Sequence, residues 1–155
     1  VGIWAAIDAG YSSIDHLDGF VEAITPGIDT LAEQQTGLFG SWIADRADAS
    51  RIGAVAKALA EKKVWLVPTQ ALAERWLSAE PADKYLAEPE MIYMKPEDRK
   101  NWANAKNNYL SNPNFSQQRA DALIAIRRKI IAECQKSGVG ILLGSDAPQV
   151  FNVPG

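Results

Sequence analysis

The chain has 155 residues, of which 47% are hydrophobic and 23% are charged, and this composition is typical of a globular protein and excludes a disordered or fibrous one. Sixteen basic and nineteen acidic side chains give a net charge of −3, so we expect neither nucleic acid nor a membrane as a partner. No stretch reaches the roughly 18 apolar residues of a membrane span, and the single cysteine, Cys134, is interpreted as a core-facing residue without a disulfide partner.

The first elements are a predicted helix and a predicted strand. Residues 1–10 are largely apolar and end at Gly10, which favours a helix closed by a left-handed residue. Residues 12–16 predict a short strand, because a loop signature follows them directly. His16 should therefore lie at the carboxyl end of this strand.

Two further helices and a second strand come next. A Thr-Pro start followed by good helix formers predicts a short helix over 25–35. Asp48 is a suitable N-cap for a second helix, whose apolar residues recur at helical spacing as far as Lys63. The apolar run 64–67, ended by Pro68, is typical of a buried strand in a parallel sheet.

The remaining chain predicts an insertion, a long helix and a third strand. Residues 70–115 are polar and too numerous for an ordinary connection, so we interpret them as a helical insertion. Ser116 should cap a helix with one apolar face that ends at Gly138, and its Arg127-Arg128-Lys129 stretch is interpreted as a solvent-exposed face. The apolar run 139–143 predicts the third strand.

Helices that alternate with three strands predict an α/β fold with right-handed parallel crossovers. In such folds, functional side chains gather at the carboxyl ends of the strands. This rule selects His16 after the first strand, Thr69 and Gln70 after the second, and Asp146 after the third. Either His16 or Asp146 alone would be read as a structural residue, but together an imidazole and a carboxylate are ligands that zinc and similar divalent ions prefer.

A family resemblance rests on three of these segments. Ala-Gly at 9–10 followed by Ser-Ile-Asp-His at 13–16 resembles an element at strand six of the amidohydrolase superfamily, in its imidazolonepropionase-like and Xaa-Pro-dipeptidase-like branch. Residues 141–148, an apolar strand followed by Gly-Ser-Asp-Ala-Pro, are similar to the strand-eight segment of that branch, and Val-Pro-Thr at 67–69 resembles the end of its strand seven. Residues 76–114 match no pattern of the family.

The resemblance implies that residues 1–155 are a partial barrel domain equivalent to strands six to eight of a (β/α)8 barrel, with the segment 70–115 inserted. It implies that His16 and Asp146 bind a divalent metal, zinc in the first place, and that Asp146 also accepts the proton of the hydrolytic water. The implied function is hydrolysis of amide or other C–N bonds in a peptide or small-molecule substrate. The loops after the second and third strands supply the candidate substrate-binding residues, Thr69, Gln70, Phe151 and Asn152.

The family also uses ligands that this sequence does not contain, since His16 is its only histidine. One histidine and one aspartate do not complete a catalytic zinc site, which typically has three protein ligands. We therefore expect a fragment that is inactive by itself and that forms a homo-oligomer or associates with the missing part of a barrel. The alternative hypothesis is a non-catalytic α/β domain that binds a protein partner, with both side chains structural.

Overall fold

The computed structural model describes residues 2–154 and shows a mostly helical chain. Its α-helices are α1 (Ile3–Asp8), α2 (Phe20–Ala23), α3 (Ile52–Lys62), α4 (Gln70–Trp76), α5 (Ala82–Leu86), α6 (Pro96–Leu110) and α7 (Gln117–Lys136). Two short strands are β1 (Ser13–Asp15) and β2 (Trp65–Val67). Single 3₁₀ turns occupy Ile28–Thr30, Glu33–Gln35, Leu38–Gly40, Ala44–Arg46, Ala49–Arg51 and Pro89–Tyr93.

The strands β1 and β2 form a parallel pair in which Ile14 lies opposite Leu66. Ile14 and Leu66 are buried, whereas Asp15 and Trp65 are exposed, because successive side chains of a strand point to opposite faces. One face of the pair therefore packs against the helices, and the other face is open to solvent.

The predicted third strand does not form. Within 139–143 only Ile141 joins the sheet, through an isolated parallel bridge to Leu66, and the next two side chains, Leu142 and Leu143, are 45% and 104% exposed. The prediction of an α/β fold equivalent to the C-terminal part of a (β/α)8 barrel, with three parallel strands, is therefore wrong. Residues 2–154 contain a two-stranded parallel sheet in a mostly helical fold.

Two glycines, Gly140 within the segment and Gly144 just after it, allow the chain to lie close to β2. A Cβ atom at Gly140 would lie 2.4 Å from the ring of Trp65, and one at Gly144 would lie 2.3 Å from Cγ1 of Val67. The side chains of β2 thus occupy the space next to these glycines. Glycine also weakens a strand because it loses more backbone entropy on folding and offers no side chain to pack.

The two strongest helix predictions are confirmed. Oγ of Ser116 accepts a hydrogen bond from the backbone N–H of Arg119 at 3.2 Å, and α7 follows directly. Oδ1 of Asp48 accepts one from the N–H of Ser50 at 3.0 Å, and a 3₁₀ turn then leads into α3. α3 and α7 pack together in the main apolar core, which includes Cys134 with its thiol fully buried, as the sequence predicted.

The predicted helix over 25–35 is wrong, because this segment contains only the 3₁₀ turns Ile28–Thr30 and Glu33–Gln35. Gly27 immediately precedes the first turn with φ +72°, a left-handed conformation that an α-helix does not admit. The predicted helix over 1–10 is observed as α1, followed by Gly10 at φ +76°; Val1 lies outside the described residues.

Residues 70–115 carry α4, α5 and α6 and build a second apolar cluster of Leu72, Ala82, Tyr85 and Met91 with Val150 and Phe151. The fully buried Lys106 of α6 donates hydrogen bonds to the carbonyl oxygens of Arg75, Trp76 and Ser78 at 2.9, 2.9 and 2.6 Å. These carbonyls lie at the end of α4, so Lys106 joins α6 to that helix end. Among the described helices, none is long and apolar enough to cross a membrane.

Candidate functional site

His16, Thr69 and Asp146 meet at one edge of the small sheet. His16 directly follows β1, Thr69 comes two residues after β2, and Asp146 follows the bridged segment at Ile141. The structure therefore brings together the residues that the strand-end rule selected, even though the third strand is missing.

All three residues have a left-handed backbone. The φ angles of His16, Thr69 and Asp146 are 59°, 45° and 55°. Non-glycine residues rarely adopt this conformation, and it is particularly unfavourable for a β-branched residue such as threonine. Such strain costs about 1–3 kcal/mol per residue and is concentrated at functional sites in proteins. The backbone therefore marks the same place as the side-chain chemistry.

The imidazole of His16 has a different neighbour on each ring nitrogen. A hydrogen bond of 2.9 Å joins Nδ1 to Oγ1 of Thr69, which is 5% exposed. Nε2 lies 3.9 Å from Oδ2 of Asp146, which is too far for a direct hydrogen bond. The His16 and Asp146 side chains are 31% and 39% exposed, so the space between them is open to solvent.

The Asp146 carboxylate is held by its own loop. Nε2 of Gln149 donates a hydrogen bond of 2.8 Å to Oδ2 of Asp146. Backbone bonds in both directions between Gln149 and Asn152, at 3.2 and 2.9 Å, close a tight turn, and the Asn152 side-chain amide donates to the carbonyl oxygen of Ser145. Sequence reasoning missed Gln149, and an isolated glutamine in a loop offers no signal that would have identified it.

The four candidate substrate-binding residues have separate surroundings. Thr69 is buried against His16, and the side chain of Gln70 accepts a hydrogen bond from Arg127 and donates one to Glu74. Phe151 is fully buried between Tyr85 and Trp102, at ring-centroid distances of 5.3 and 6.0 Å.

Asn152, the fourth candidate, is 6% exposed, with its side-chain amide bonded to the loop backbone. Asn152 therefore stabilises its own turn, a role for which asparagine is well suited. A cavity of about 270 Å³ opens beside His16 along β1, and its walls include Tyr11, Asp15 and Asp18. Space for a ligand thus lies next to the imidazole on the β1 side.

Arg127 is buried at the site, contrary to its interpretation as part of an exposed helix face. It is 1% exposed, whereas Arg128 and Lys129 are exposed as expected. Its position, four residues after Leu123 and three before Ile130, places it on the apolar face of α7. This spacing was the signal in the sequence that would have identified it.

The distance between the two donor atoms, His16 Nε2 and Asp146 Oδ2, is close to the spacing of two metal ligands. Two tetrahedral ligands bonded to zinc at about 2.0–2.2 Å lie roughly 3.4 Å apart, and His16 Nε2 and Asp146 Oδ2 are 3.9 Å apart. The observed pair is therefore about 0.5 Å wider than two such ligands. In residues 2–154 there is no group of three or more His, Cys, Asp or Glu side chains that could hold a metal, so the described chain offers two suitable donors and not a complete ligand set.

Comparison with known proteins identifies no relative, since no family model, no curated protein and no solved structure matches the chain. The resemblance to the amidohydrolase superfamily therefore stays a prediction from short sequence segments.

Proposed function

We propose that this chain carries part of the active centre of a metal-dependent hydrolase of amide or other C–N bonds. The observation that supports the proposal is the convergence of His16 and Asp146, which are 130 positions apart in the sequence (146 − 16), to a separation of 3.9 Å between Nε2 and Oδ2. Zinc is the ion of first choice, because it combines imidazole and carboxylate ligands.

The hydrogen bond to Thr69 prepares His16 for this role. When Nδ1–H donates to Oγ1 of Thr69, the lone pair of Nε2 is free, and Nε2 is the ring nitrogen that lies 3.9 Å from Oδ2 of Asp146. A hydrogen-bond partner on the second ring nitrogen is the usual way in which proteins fix the tautomer and orientation of a ligating histidine.

Asp146 would act as ligand and as proton acceptor. A divalent ion at this place would supply Lewis acidity, which lowers the pKa of water far below its ordinary value, to about 7. A carboxylate then suffices as the base, and it returns the proton to the leaving nitrogen as the C–N bond breaks. The cavity beside β1 is the proposed position of the substrate, a peptide or small amide.

The chain alone would be inactive, because it supplies two protein donors and catalytic zinc sites typically have three. The remaining ligands would come from another chain or segment. The resemblance to the amidohydrolase superfamily supports this assignment through the same two residues, without any inference about the fold.

Metal titration tests the proposal. Zn²⁺ or Co²⁺ is added in a calorimeter to the complete gene product and to its His16→Ala and Asp146→Ala variants, with Asp121→Ala as the control, since Asp121 is an exposed aspartate of α7. We expect at least tenfold weaker binding in the first two variants and unchanged binding in the control. Absence of binding to the unaltered complete gene product, or equal binding by all variants, would overturn the proposal.

Hydrolysis is tested on the complete gene product with a panel of dipeptides and cyclic amides. Chelation should abolish the release of amine and added zinc should restore it. Turnover that persists with a chelator, or with both His16 and Asp146 replaced by alanine, would exclude the proposed chemistry.

A second candidate is a non-catalytic domain that binds a protein partner. The observation that favours it is the exposure of Ile92 and Tyr93, at 74% and 78%, in the 3₁₀ turn Pro89–Tyr93, because adjacent exposed apolar side chains often mark interaction sites. The metal titration separates the two candidates, since a purely structural His16 and Asp146 give no metal binding that depends on them.

A further inference from the structure

Arg127 of α7 donates hydrogen bonds to both loops that carry the histidine and the threonine of the site. Its Nη1 donates to the carbonyl oxygen of His16 and its Nη2 to that of Pro68, each at 2.8 Å. Its Nε donates to Oε1 of Gln70 at 3.1 Å. One planar guanidinium thereby links the loop after β1, the loop after β2 and the start of α4.

The charge of Arg127 is held by carbonyl and amide oxygens. Among the described residues, no Asp or Glu forms a salt bridge with it. Burial lowers the pKa of Arg127 to about 10, so the side chain is still protonated at neutral pH. A buried charge without a direct salt bridge is costly, although the nearby Glu74 carboxylate favours the charged form; an apolar residue at this point of α7 would pack without that cost.

The two carbonyl groups flank the strained residues of the site. The His16 carbonyl belongs to the peptide between His16 and Leu17, whose φ angles are 59° and 57°. The Pro68 carbonyl belongs to the peptide that precedes Thr69, which has φ 45°. Fixing these two peptide planes restricts the unfavourable backbone angles.

The aromatic ring of Phe39 completes this arrangement. Its centroid lies 5.8 Å from Cζ of Arg127 and 5.6 Å from the centroid of the His16 ring. A guanidinium over an aromatic face is attracted by the ring quadrupole. Arg127 therefore contacts the backbone of His16 directly and its ring through Phe39.

We propose that Arg127 is the positioning residue of the site, which holds the backbones of His16 and Thr69 in the conformation that keeps the imidazole bonded to Thr69 and directed at Asp146. It contacts neither substrate nor metal. The importance of this role rests on the proposed function, but the geometry that it predicts exists without any bound ion.

The test uses Arg127→Met and Arg127→Lys, with Arg128→Met as the matched control, because Arg128 is the adjacent exposed arginine and pairs with Glu74. The readout is the ¹⁵N spectrum of the imidazole, which is unambiguous because the chain has one histidine. Urea unfolding of each variant is measured in parallel, so that spectra are compared only where the chain is folded.

We expect the control to keep the wild-type imidazole spectrum. Arg127→Met should change the ¹⁵N shifts toward a mixture of tautomers and remove the nuclear Overhauser effect between His16 and Phe39. Arg127→Lys keeps the positive charge but lacks the planar guanidinium with its several N–H donors, so it should show the same change. This variant carries the test if Arg127→Met does not fold. In Arg127→Ala, guanidinium ion should restore the spectrum, whereas sodium chloride at equal ionic strength should not.

A folded Arg127→Met or Arg127→Lys variant with an unchanged imidazole spectrum would overturn the inference. This result is distinct from failure of the proposed function, because the spectra are recorded without metal. A complete gene product that binds no divalent ion would remove the proposed hydrolase function and leave the positioning role of Arg127 to be decided by the spectra alone.

Discussion

The side-chain amide of Gln149 donates a hydrogen bond of 2.8 Å to Oδ2 of Asp146, the same oxygen that lies 3.9 Å from Nε2 of His16. The carboxylate is thus oriented from within its own loop before any ligand arrives. In metal sites, the loss of a hydrogen bond that orients a ligating carboxylate, the role proposed for Asp146, typically costs about 10–100-fold in affinity.

Replacing Gln149 by alanine should therefore weaken Zn²⁺ binding about tenfold, because the Asp146 side chain gains rotational freedom. Calorimetric titration measures the change. The matched control is Gln117→Ala, which removes an exposed glutamine bonded to Asp121 on α7 and should leave the affinity unchanged. Equal binding by the Gln149 variant would mean that this hydrogen bond does not orient the carboxylate for the metal, and tighter binding would mean that the amide competes with the metal.

Thr69→Val should shift the tautomer balance of His16. The substitution keeps the shape of the side chain and removes the Oγ1 hydroxyl 2.9 Å from Nδ1, which accepts from Nδ1–H in the proposed tautomer. The fraction of imidazole protonated at Nδ1 should fall, and the free energy of unfolding should drop by about 1 kcal/mol. The ¹⁵N spectrum and urea unfolding measure both effects. Thr30→Val, which removes an exposed hydroxyl bonded to the carbonyl of Gly27, should leave the imidazole spectrum as in the wild type.

The sequence was sufficient to predict the helices with strong periodicity and clear caps, such as α7 after Ser116 and α3 after Asp48. It was also sufficient to place His16 and Asp146 at one edge, because short parallel segments align their carboxyl ends even when only Ile141 of the third segment pairs.

The predictions from sequence that were wrong failed for physical reasons. An apolar run forms a buried strand only if neighbouring elements cover it. The local sequence does not show whether such elements exist. Among the described residues, no element covers Leu143, which is fully exposed. Arg127 was misassigned because a charged side chain was expected in water, whereas three backbone and side-chain oxygens accept its hydrogen bonds inside the protein. No sequence pattern indicates which residues contact Gln149 or the Phe39 ring.

Lys106 should make stability depend on pH. Burial lowers its pKa from the ordinary 10.5 to about 8, although the three carbonyl acceptors favour the charged form. Between pH 8 and 10.5 the unfolded chain keeps a proton that the folded chain has released, so the unfolded state binds more protons and stability rises with pH in this window. The full difference corresponds to about 3 kcal/mol.

Burial also raises the pKa values of Tyr109 and Cys134, and these two groups lower stability at alkaline pH. Comparison with Lys106→Met therefore isolates the effect of Lys106. Urea unfolding at pH 7.5 and 9.5 should show the wild type gaining stability relative to the variant. Lys57→Met, at an exposed position of α3, should parallel the wild type. If the stability of Lys106→Met changes with pH as that of the wild type does, the three carbonyls hold the pKa of Lys106 near its usual range.

Cys134 should react with thiol reagents only when the chain unfolds. The side chain is fully buried in the main core, and burial raises the pKa of its thiol to about 12. At pH 8 only about one thiol in ten thousand is then ionised, and the thiolate is the reactive form. Modification by a disulfide reagent should be slow in buffer and should accelerate in parallel with urea unfolding. Rapid reaction of the native chain would show that the core around α7 opens readily.

Leu66 and Leu143 form a matched pair that tests the corrected fold. Leu66 is 0% exposed and lies between Ile14 of β1 and the bridge at Ile141, whereas Leu143 is 104% exposed. Truncation of a fully buried leucine to alanine removes its transfer free energy and leaves a cavity, so Leu66→Ala should lower the free energy of unfolding by about 2–5 kcal/mol. Leu143→Ala should change it by less than about 0.5 kcal/mol, since surface substitutions away from caps and buried groups have effects of that size. A barrel-like third strand that buries Leu143 would instead give losses of similar size at both positions, and urea denaturation of the two variants distinguishes these outcomes.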